Sequence, residues 1–265
     1  MTQPQFMARK KIGLALSGGG ARGYAHVGVL KVLAEHGITP DLISGTSIGS
    51  FVGAALAAGL SVDQIESMAR DVRWRHVTRP SFSPRALFSN APMERFLRVH
   101  LPVTRFEDLK IPFTAVACEM LSGKEVRIRS GDLIPAIRAS CAVPAAFMPV
   151  RDENGRVLVD GGLVAPVPID AVAEMGADVI IAVDLLSSGG QFRRVPKTAM
   201  GMLFTSAMTL LRAASDRDKV KADVVIVPKI AHIRPDRMRQ KEDCLRLGEE
   251  AARALIGEIR RLVSD

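Results

Sequence analysis

Ser47 is the residue of this sequence with the strongest signature of a nucleophile. It lies at the centre of Gly45-Thr46-Ser47-Ile48-Gly49, between a short apolar run and a run rich in Ala and Gly. Such a G-x-S-x-G pattern in a tight strand-to-helix turn holds the serine in a strained, exposed position, and Gly45 and Gly49 leave room for the turn. The helix that follows directs free N–H groups at the serine, so the Ile48 N–H is a candidate donor to an oxyanion.

A second candidate site is the glycine-rich segment 18–23, Gly-Gly-Gly-Ala-Arg-Gly, which follows the first apolar strand. Consecutive glycines let backbone N–H groups face outward and bind an anion. Gly18, Gly20 and Gly23 match the dinucleotide pattern G-x-G-x-x-G, although Asp41 precedes the second strand instead of ending it. The segment lacks the G-K-[ST] of a Walker loop. An oxyanion hole, a dinucleotide site and a plain turn remain as interpretations.

Ser47 needs a base, because a serine hydroxyl is a weak nucleophile. His232 follows the last predicted strand, as the histidine of an α/β-hydrolase would. The other four histidines lie at the first helix or in an arginine-rich region, and a structural or surface role is expected for them: His26, His36, His76 and His100.

Asp160 is the better candidate base. It ends the apolar run 157–159 and precedes Gly161 and Gly162, so we expect it at the carboxyl edge of the sheet, where Ser47 also lies. The alternative is a plain Asp-Gly-Gly turn. The ordinary pKa of an aspartate is far below that of a hydroxyl, so Asp160 would need direct contact with Ser47 in a water-poor pocket.

The predicted elements alternate between apolar strands and helices, which indicates a mostly parallel sheet covered on both faces. Residues 42–62 carry no charge, but the turn at 44–46 divides them into a short strand and a buried helix instead of a membrane span. Four prolines predict an irregular segment at 73–105. The strands are predicted at 12–16, 42–43, 113–120, 125–129, 157–159, 179–185 and 224–228, and the helices at 24–36, 48–58, 61–72, 133–140, 169–175, 199–215 and 244–263.

Length and composition favour one folded domain over residues 1–265. The chain is 48% hydrophobic and 24% charged, which excludes a disordered protein. Its three cysteines are far apart and form no CxxC pair, so they support neither a zinc site nor a disulfide framework. We expect no cofactor. The N-terminus has no apolar stretch typical of a signal peptide, and we expect a cytoplasmic protein.

The net charge of +8 indicates anionic partners. Between Arg70 and Arg105 there are eight arginines and two acidic residues, together with Trp74 and several apolar side chains. We expect this segment to contact an anionic membrane surface, on the inner face of the membrane; a solvated arginine-rich loop is the alternative. Aromatic residues are only 5% of the chain, so nucleic acid is not an expected partner.

The motifs GGGARG at 18–23, GTSIG at 45–49 and DGG at 160–162, in this order, resemble those of the patatin-like phospholipase family. The segment SCAVPAAFMPV at 140–150 is similar to the Ser/Ala-rich stretch before the family's Asp-Gly-Gly strand. The resemblance covers residues 12–175, which we interpret as the catalytic core, with residues 176–265 as an α/β extension of the same domain. The length is similar to that of small bacterial members.

The resemblance implies a three-layer α/β/α fold and a lipid acyl-ester hydrolase. Ser47 would be the nucleophile, Asp160 the general base, and the amides of Gly18, Gly19 and Gly20 with Arg22 the oxyanion loop, without a catalytic histidine or a metal. Two alternatives remain. One is an α/β-hydrolase esterase that uses Ser47 and His232, and the other is a non-catalytic lipid-binding regulator that keeps the glycine loop.

Overall fold

The computed structural model describes residues 9–187, 198–235 and 238–264, apart from some side chains in the helix at 199–218. Residues 1–8 lie outside these ranges. The prediction that the N-terminus is not a signal peptide concerns mainly these residues. The described strands are β1 Ile12–Leu16, β2 Leu42–Thr46, β3 Arg79–Pro80, β4 Ala86–Ser89, β5 Phe113–Glu119, β6 Glu125–Ile128, β7 Ala145–Phe147, β8 Val150–Arg151, β9 Val157–Asp160, β10 Val179–Val183 and β11 Val224–Ile226.

Eight of these strands form a central sheet in the order β11-β10-β1-β2-β5-β9-β8, and β6 also pairs with β5. The five strands from β11 to β5 are parallel to one another. The strands β6, β8 and β9 are antiparallel to their neighbours. The buried residues of β1 and β10 are apolar throughout, as expected of strands that are covered on both faces.

Helices cover both faces of this sheet, which confirms the predicted three-layer α/β/α fold. Ala15 packs with α7 on one face, whereas its neighbours Leu14 and Leu16 pack into the larger core on the other face. The described helices are α1 Tyr24–Glu35, α2 Ile48–Ala57, α3 Val62–Asp71, α4 Trp74–Val77, α5 Ala91–His100, α6 Leu133–Ser140, α7 Ile169–Glu174, α8 Ala199–Asp218 and α9 Lys241–Ser264. None of the described helices is long and apolar enough to cross a membrane.

The segment 73–105 is more regular than predicted. It contains the helices α4 and α5, and its strands β3 and β4 form a small second sheet with β7. Pro92 does not interrupt α5, because it lies in the first helical turn, where no backbone N–H is needed for the helix. The prediction of an irregular segment is therefore wrong for residues 91–100.

The direction of β9 also differs from the prediction. Asp160 was expected at the carboxyl edge that the parallel strands share, but β9 runs antiparallel to β5. Its register places Asp160 opposite Ala117, two residues before the end of β5. Asp160 therefore comes toward Ser47 from the opposite direction along the sheet.

Candidate active site

The backbone at Ser47 forms the sharp turn that the sequence predicts. Its φ of 53° and ψ of −123° are unfavourable for any residue but glycine, so the surrounding contacts must hold Ser47 in place. A Cβ atom on Gly45 would lie 2.5 Å from the Gly49 carbonyl oxygen, and one on Gly49 would lie 2.1 Å from that of Leu16. Both glycines are required because the backbones of β1, β2 and α2 approach so closely here.

Ser140 holds the backbone of Ser47 in place. The Ser47 amide donates a hydrogen bond to Ser140 Oγ at 2.9 Å, and the Ser140 hydroxyl donates to the Val116 carbonyl at 2.6 Å. Ser140 is fully buried at the end of α6. We did not single out Ser140 from the sequence, since a serine among small residues at the end of a helix carries no signal of this role.

Strand β2, which leads into Ser47, and strand β9, which ends at Asp160, both pair with the same side of β5. Ala117 and Cys118 pair with both β6 and β9, so β6 and β9 lie on opposite edges of β5. Ala115 and Val116 pair with both β6 and β2, so β2 also lies opposite β6. The strands β2 and β9 therefore meet end to end, and the sheet brings Ser47 and Asp160 together.

Asp160 is buried with one carboxylate oxygen satisfied and the other free. Oδ1 accepts the Gly162 amide at 2.8 Å, whereas the buried Oδ2 has no hydrogen-bond partner among the residues that the structure describes. Burial raises the pKa of Asp160 to about 6, although the nearby Ser47 hydroxyl and the Gly162 amide both lower it. The Ser47 hydroxyl is thus close to the carboxylate without a hydrogen bond of normal geometry to Oδ2.

The glycine loop lies beside Ser47, because a Cβ atom on Gly18 would be 3.5 Å from Ser47 Cβ. Its amides are not equivalent. The Gly18 amide donates to the Pro166 carbonyl at 3.0 Å. It was expected to be a donor to an oxyanion, but this hydrogen bond makes it unavailable. The amides of Gly19 and Gly20 donate to no other described residue, and neither does the amide of Ile48. Among the amides of Gly18, Gly19, Gly20 and Ile48, these last three therefore have no partner in the described part of the chain.

Arg22 and Gly23 support the glycine loop through contacts with other parts of the chain. The buried Arg22 side chain donates to the carbonyls of Ile233 at 2.7 Å and Leu185 at 3.3 Å. A Cβ atom on Gly23 would lie 2.1 Å from Ile48 Cγ1, so the loop and the start of α2 are in direct contact. We expected both residues in an oxyanion hole; the Arg22 guanidinium is instead engaged by two backbone carbonyls.

Asp41 does not lie where a dinucleotide site would need its acidic residue. Asp41 accepts the Ile12 amide at 2.8 Å, at the amino end of β1. The glycine loop follows the carboxyl end of β1, so Asp41 and the loop lie at opposite edges of the sheet.

Within the described residues, none of the five histidines forms a hydrogen bond with Ser47. His232 is exposed in the turn after β11. His26 is fully buried, and its Nε2 lies 2.8 Å from the Ser17 carbonyl. Burial lowers the pKa of His26 to about 4, so it is neutral near neutral pH. The ring nitrogens of His36 and His100 bind carbonyls of their own helices, and His76 stacks on Phe96.

Cys141 is a further neighbour of the site, and no sequence motif points to it. Its Sγ lies 3.9 Å from Ser50 Oγ, and the Ser50 hydroxyl donates to the Ser47 carbonyl at 2.7 Å. Burial and the Asp160 charge raise the pKa of the Cys141 thiol far above its usual value, which keeps the thiol neutral. Among the described side chains, no group of three or more His, Cys, Asp or Glu residues could hold a metal ion.

The three-layer α/β/α fold thus places a serine at a strand-to-helix elbow beside a buried carboxylate. The family model described as patatin-like phospholipase matches residues 14–173. The chain belongs to the patatin-like phospholipase family.

Two curated relatives illustrate the extent of the similarity. An uncharacterised NTE family protein of Mycobacterium tuberculosis is 39% identical over 181 residues, which are 67% of this chain and 50% of the relative. Human patatin-like phospholipase domain-containing protein 6 is 33% identical over 183 residues, which are 66% of this chain and 13% of the relative. This chain therefore matches half or less of the length of these relatives.

Solved structures share the fold at low sequence identity. VipD from Legionella pneumophila has a TM-score of 0.60 and 14% identity, over 95% of this chain and 67% of VipD. ExoU from Pseudomonas aeruginosa, in complex with SpcU, has a TM-score of 0.54 and 15% identity, over 97% of this chain and 53% of that chain.

Proposed function

We propose that this protein is a serine acyl-ester hydrolase that acts on lipids through Ser47 and Asp160. The observation that carries the proposal is the end-to-end meeting of β2 and β9, which brings the elbow serine to a buried carboxylate with one free oxygen. Membership of the patatin-like phospholipase family supports a lipid ester as the substrate. We propose that this protein is cytoplasmic and that it meets the ester at an anionic membrane surface.

In the first half of the reaction, Asp160 Oδ2 takes the proton of the Ser47 hydroxyl as Oγ attacks the acyl carbonyl carbon. The amides of Ile48, Gly19 and Gly20 face the oxyanion that develops on the carbonyl oxygen. The tetrahedral intermediate then collapses, and the leaving alcohol receives the proton from Asp160. Ser47 remains as an acyl ester.

In the second half, Asp160 takes a proton from a water molecule that attacks the acyl-enzyme. The same amides stabilise the second oxyanion, and collapse releases the fatty acid while Ser47 recovers its proton from Asp160. The pKa of about 6 for Asp160 suits both directions of proton transfer better than the pKa of an exposed aspartate, because the group is ionised at neutral pH and yet more basic than usual.

A fluorophosphonate probe tests the nucleophile, because it reacts only with an activated serine. We expect one label on the wild type, at Ser47, and none on Ser47→Ala. Asp160→Asn should lower both labelling and fatty-acid release from phospholipid vesicles by at least about 10³-fold, and the double variant should be little worse than either single variant. His232→Ala is the matched control and should keep most of the activity.

Two outcomes would contradict the proposal. If folded His232→Ala is as inactive as Ser47→Ala, the protein is an esterase with a Ser47/His232 arrangement. If the folded wild type neither takes the label nor releases fatty acid, it is a non-catalytic lipid-binding protein.

A further inference from the structure

The excess of arginine between residues 70 and 105 separates into two groups in the structure. Arg70, Arg98 and Arg105 form ion pairs with acidic side chains, among them Glu66, Glu94 and Glu107. Arg95, on α5 beside Glu94, belongs to neither group. The second group is exposed and forms no ion pair with any residue in the described part of the chain: Arg73, Arg75, Arg79 and Arg85. No acidic residue occurs from 72 to 93, so the positive charge of this second group is not neutralised locally.

Large apolar side chains are exposed in the same short stretch. Phe82 is fully exposed, and Leu87, Phe88 and Trp74 are more than two-fifths exposed. Phe82 lies in the turn between β3 and β4, and Leu87 and Phe88 lie on β4. The exposure of these apolar side chains to water is unfavourable in free energy, and a contiguous exposed apolar patch usually marks an interaction site.

We propose that residues 73–88 form a docking surface for an anionic lipid bilayer. Arginines without acidic partners next to exposed aromatic and aliphatic side chains fit a bilayer, since the charges bind anionic headgroups while Phe82 and Leu87 enter the acyl boundary. Nucleic acid would use the same arginines, but it offers no apolar interior to Leu87. The inference rests on the proposed function in one respect, namely that a docked protein meets its lipid substrate.

The docking surface is joined directly to the segment that supports the nucleophile. Phe88 pairs with Phe147 across β4 and β7, and the Phe88 carbonyl accepts the Met148 amide at 2.9 Å. The Asn90 side chain donates to the Arg138 carbonyl at 2.8 Å. Ser140, which binds the Ser47 amide, lies between these two attachments. Hydrogen bonds thus connect the docking surface at residues 73–88 to residues 138–148, the segment that contains Ser140. A bilayer bound at this surface would lie close to the segment that supports Ser47.

The experiment measures vesicle binding with Ser47→Ala protein, which keeps the docking surface but cannot turn over lipid. Co-sedimentation uses phosphatidylcholine vesicles with and without about 30% phosphatidylglycerol, at low and at high salt. We expect at least about tenfold tighter binding to the anionic vesicles at low salt, and most of this preference should disappear at high salt.

Two sets of variants on this protein identify the surface. Changing Arg73, Arg75, Arg79 and Arg85 to Gln should weaken binding to anionic vesicles at least about tenfold. The matched control changes four exposed arginines of α9 to Gln, with the same loss of charge, and should bind almost as well as the parent: Arg246, Arg253, Arg260 and Arg261. Phe82→Ser with Leu87→Ser should also weaken binding, whereas Val220→Ser, at another exposed apolar position, should not.

Three results would overturn the inference. The first is that the parent binds neither vesicle at low salt, and the second is that the α9 control loses as much vesicle binding as the four-arginine variant. The third is preferential binding of the parent to an oligonucleotide, with that binding lost in the four-arginine variant. Failure of the proposed function gives a different pattern, in which the Ser47→Ala protein binds anionic vesicles but the wild type releases no fatty acid. In wild-type protein, the four-arginine variant should lose activity on anionic vesicles and keep activity on a water-soluble short-chain ester.

Discussion

Thr46 and Asp160 pair with Val116 and Ala117, which are consecutive residues on one edge of β5. The separation of the proposed nucleophile from its base is thereby set by the hydrogen-bond register of the central sheet. Elements of a sheet hold side chains more precisely than loops do, which is what a direct proton transfer between Ser47 and Asp160 requires.

The first prediction concerns the pH dependence of the reaction. Asp160 must be ionised to accept a proton, and burial raises its pKa to about 6. We expect kcat/KM for a short-chain ester to rise about tenfold per pH unit below pH 6 and to level off above it. The midpoint should change little with temperature, because carboxyl groups ionise with almost no enthalpy change, whereas an imidazolium midpoint would move. An unchanged profile in His232→Ala is the control.

The second prediction concerns stability. The pKa of Asp160 is higher in the folded protein than the value of about 3.9 in an unfolded chain, so its contribution to stability is present at low pH and is lost as pH rises through about 6. Asp160→Asn removes this buried charge. Its free energy of unfolding should exceed that of the wild type by about 2–3 kcal/mol at about pH 8, because one pKa unit corresponds to about 1.4 kcal/mol.

Urea unfolding of the wild type and Asp160→Asn at several pH values measures this difference. The gain should shrink as pH falls below about 6 and vanish below about 4. A variant that is less stable than the wild type at about pH 8 would show that the ionised carboxylate is well compensated in the folded protein.

The third prediction separates the positioning role of Ser140 from its structural role. Ser140→Ala removes the acceptor of the Ser47 amide. Ser44→Ala is the matched control, because Ser44 is equally buried and its hydroxyl also donates to a carbonyl, that of Pro168 at 2.7 Å. Both variants should lose about 1–2 kcal/mol of stability. Only Ser140→Ala should lower kcat, by about 10–100-fold with little change in KM.

Fluorophosphonate labelling rates report the same difference without a lipid substrate. The rate should fall in Ser140→Ala and stay near that of the wild type in Ser44→Ala. Equal rates in the two variants would mean that the hydrogen bond to the Ser47 amide stabilises the fold without orienting the nucleophile.

The fourth prediction concerns the space beside the nucleophile. A methyl group on Gly18 would make an ordinary 3.5 Å contact with Ser47 Cβ, so Gly18→Ala should fold normally. The methyl group should hinder the approach of the ester, and kcat/KM should fall at least about tenfold. Gly257→Ala in α9 is the control, since no described atom beyond the neighbouring turns of its own helix lies within 4 Å of the added group, and alanine there should be neutral or stabilising. Unchanged kinetics in Gly18→Ala would mean that the ester approaches from another side.

The identities of the proposed catalytic residues could be predicted from local sequence, because each motif depends on chemistry within a few positions. The elbow at Ser47 needs glycines two residues away on both sides, and Ser61 caps α3 as its sequence suggests. The extent of α5 also depends on local sequence, but Pro92 was interpreted as a break although proline is favourable in a first helical turn.

Other features depend on partners that are distant in the sequence. The Gly18 amide is engaged by Pro166, and the Arg22 side chain by Leu185 and Ile233. The antiparallel direction of β9 follows from how the chain returns to β5, and an apolar run of four residues contains no information on direction. These contacts decide which amides remain free in the glycine loop, so the sequence alone predicted more donors than the fold leaves available.

The glycine loop is braced by residues that are synthesised late. Strand β1 pairs with β10, the Ala21 amide binds the Pro235 carbonyl, and Arg22 binds Ile233. A chain emerging from the ribosome therefore carries both Ser47 and Asp160 well before the loop beside them can take its final shape. The proposed oxyanion donors in this loop therefore gain their supporting contacts only after residue 235 has been made.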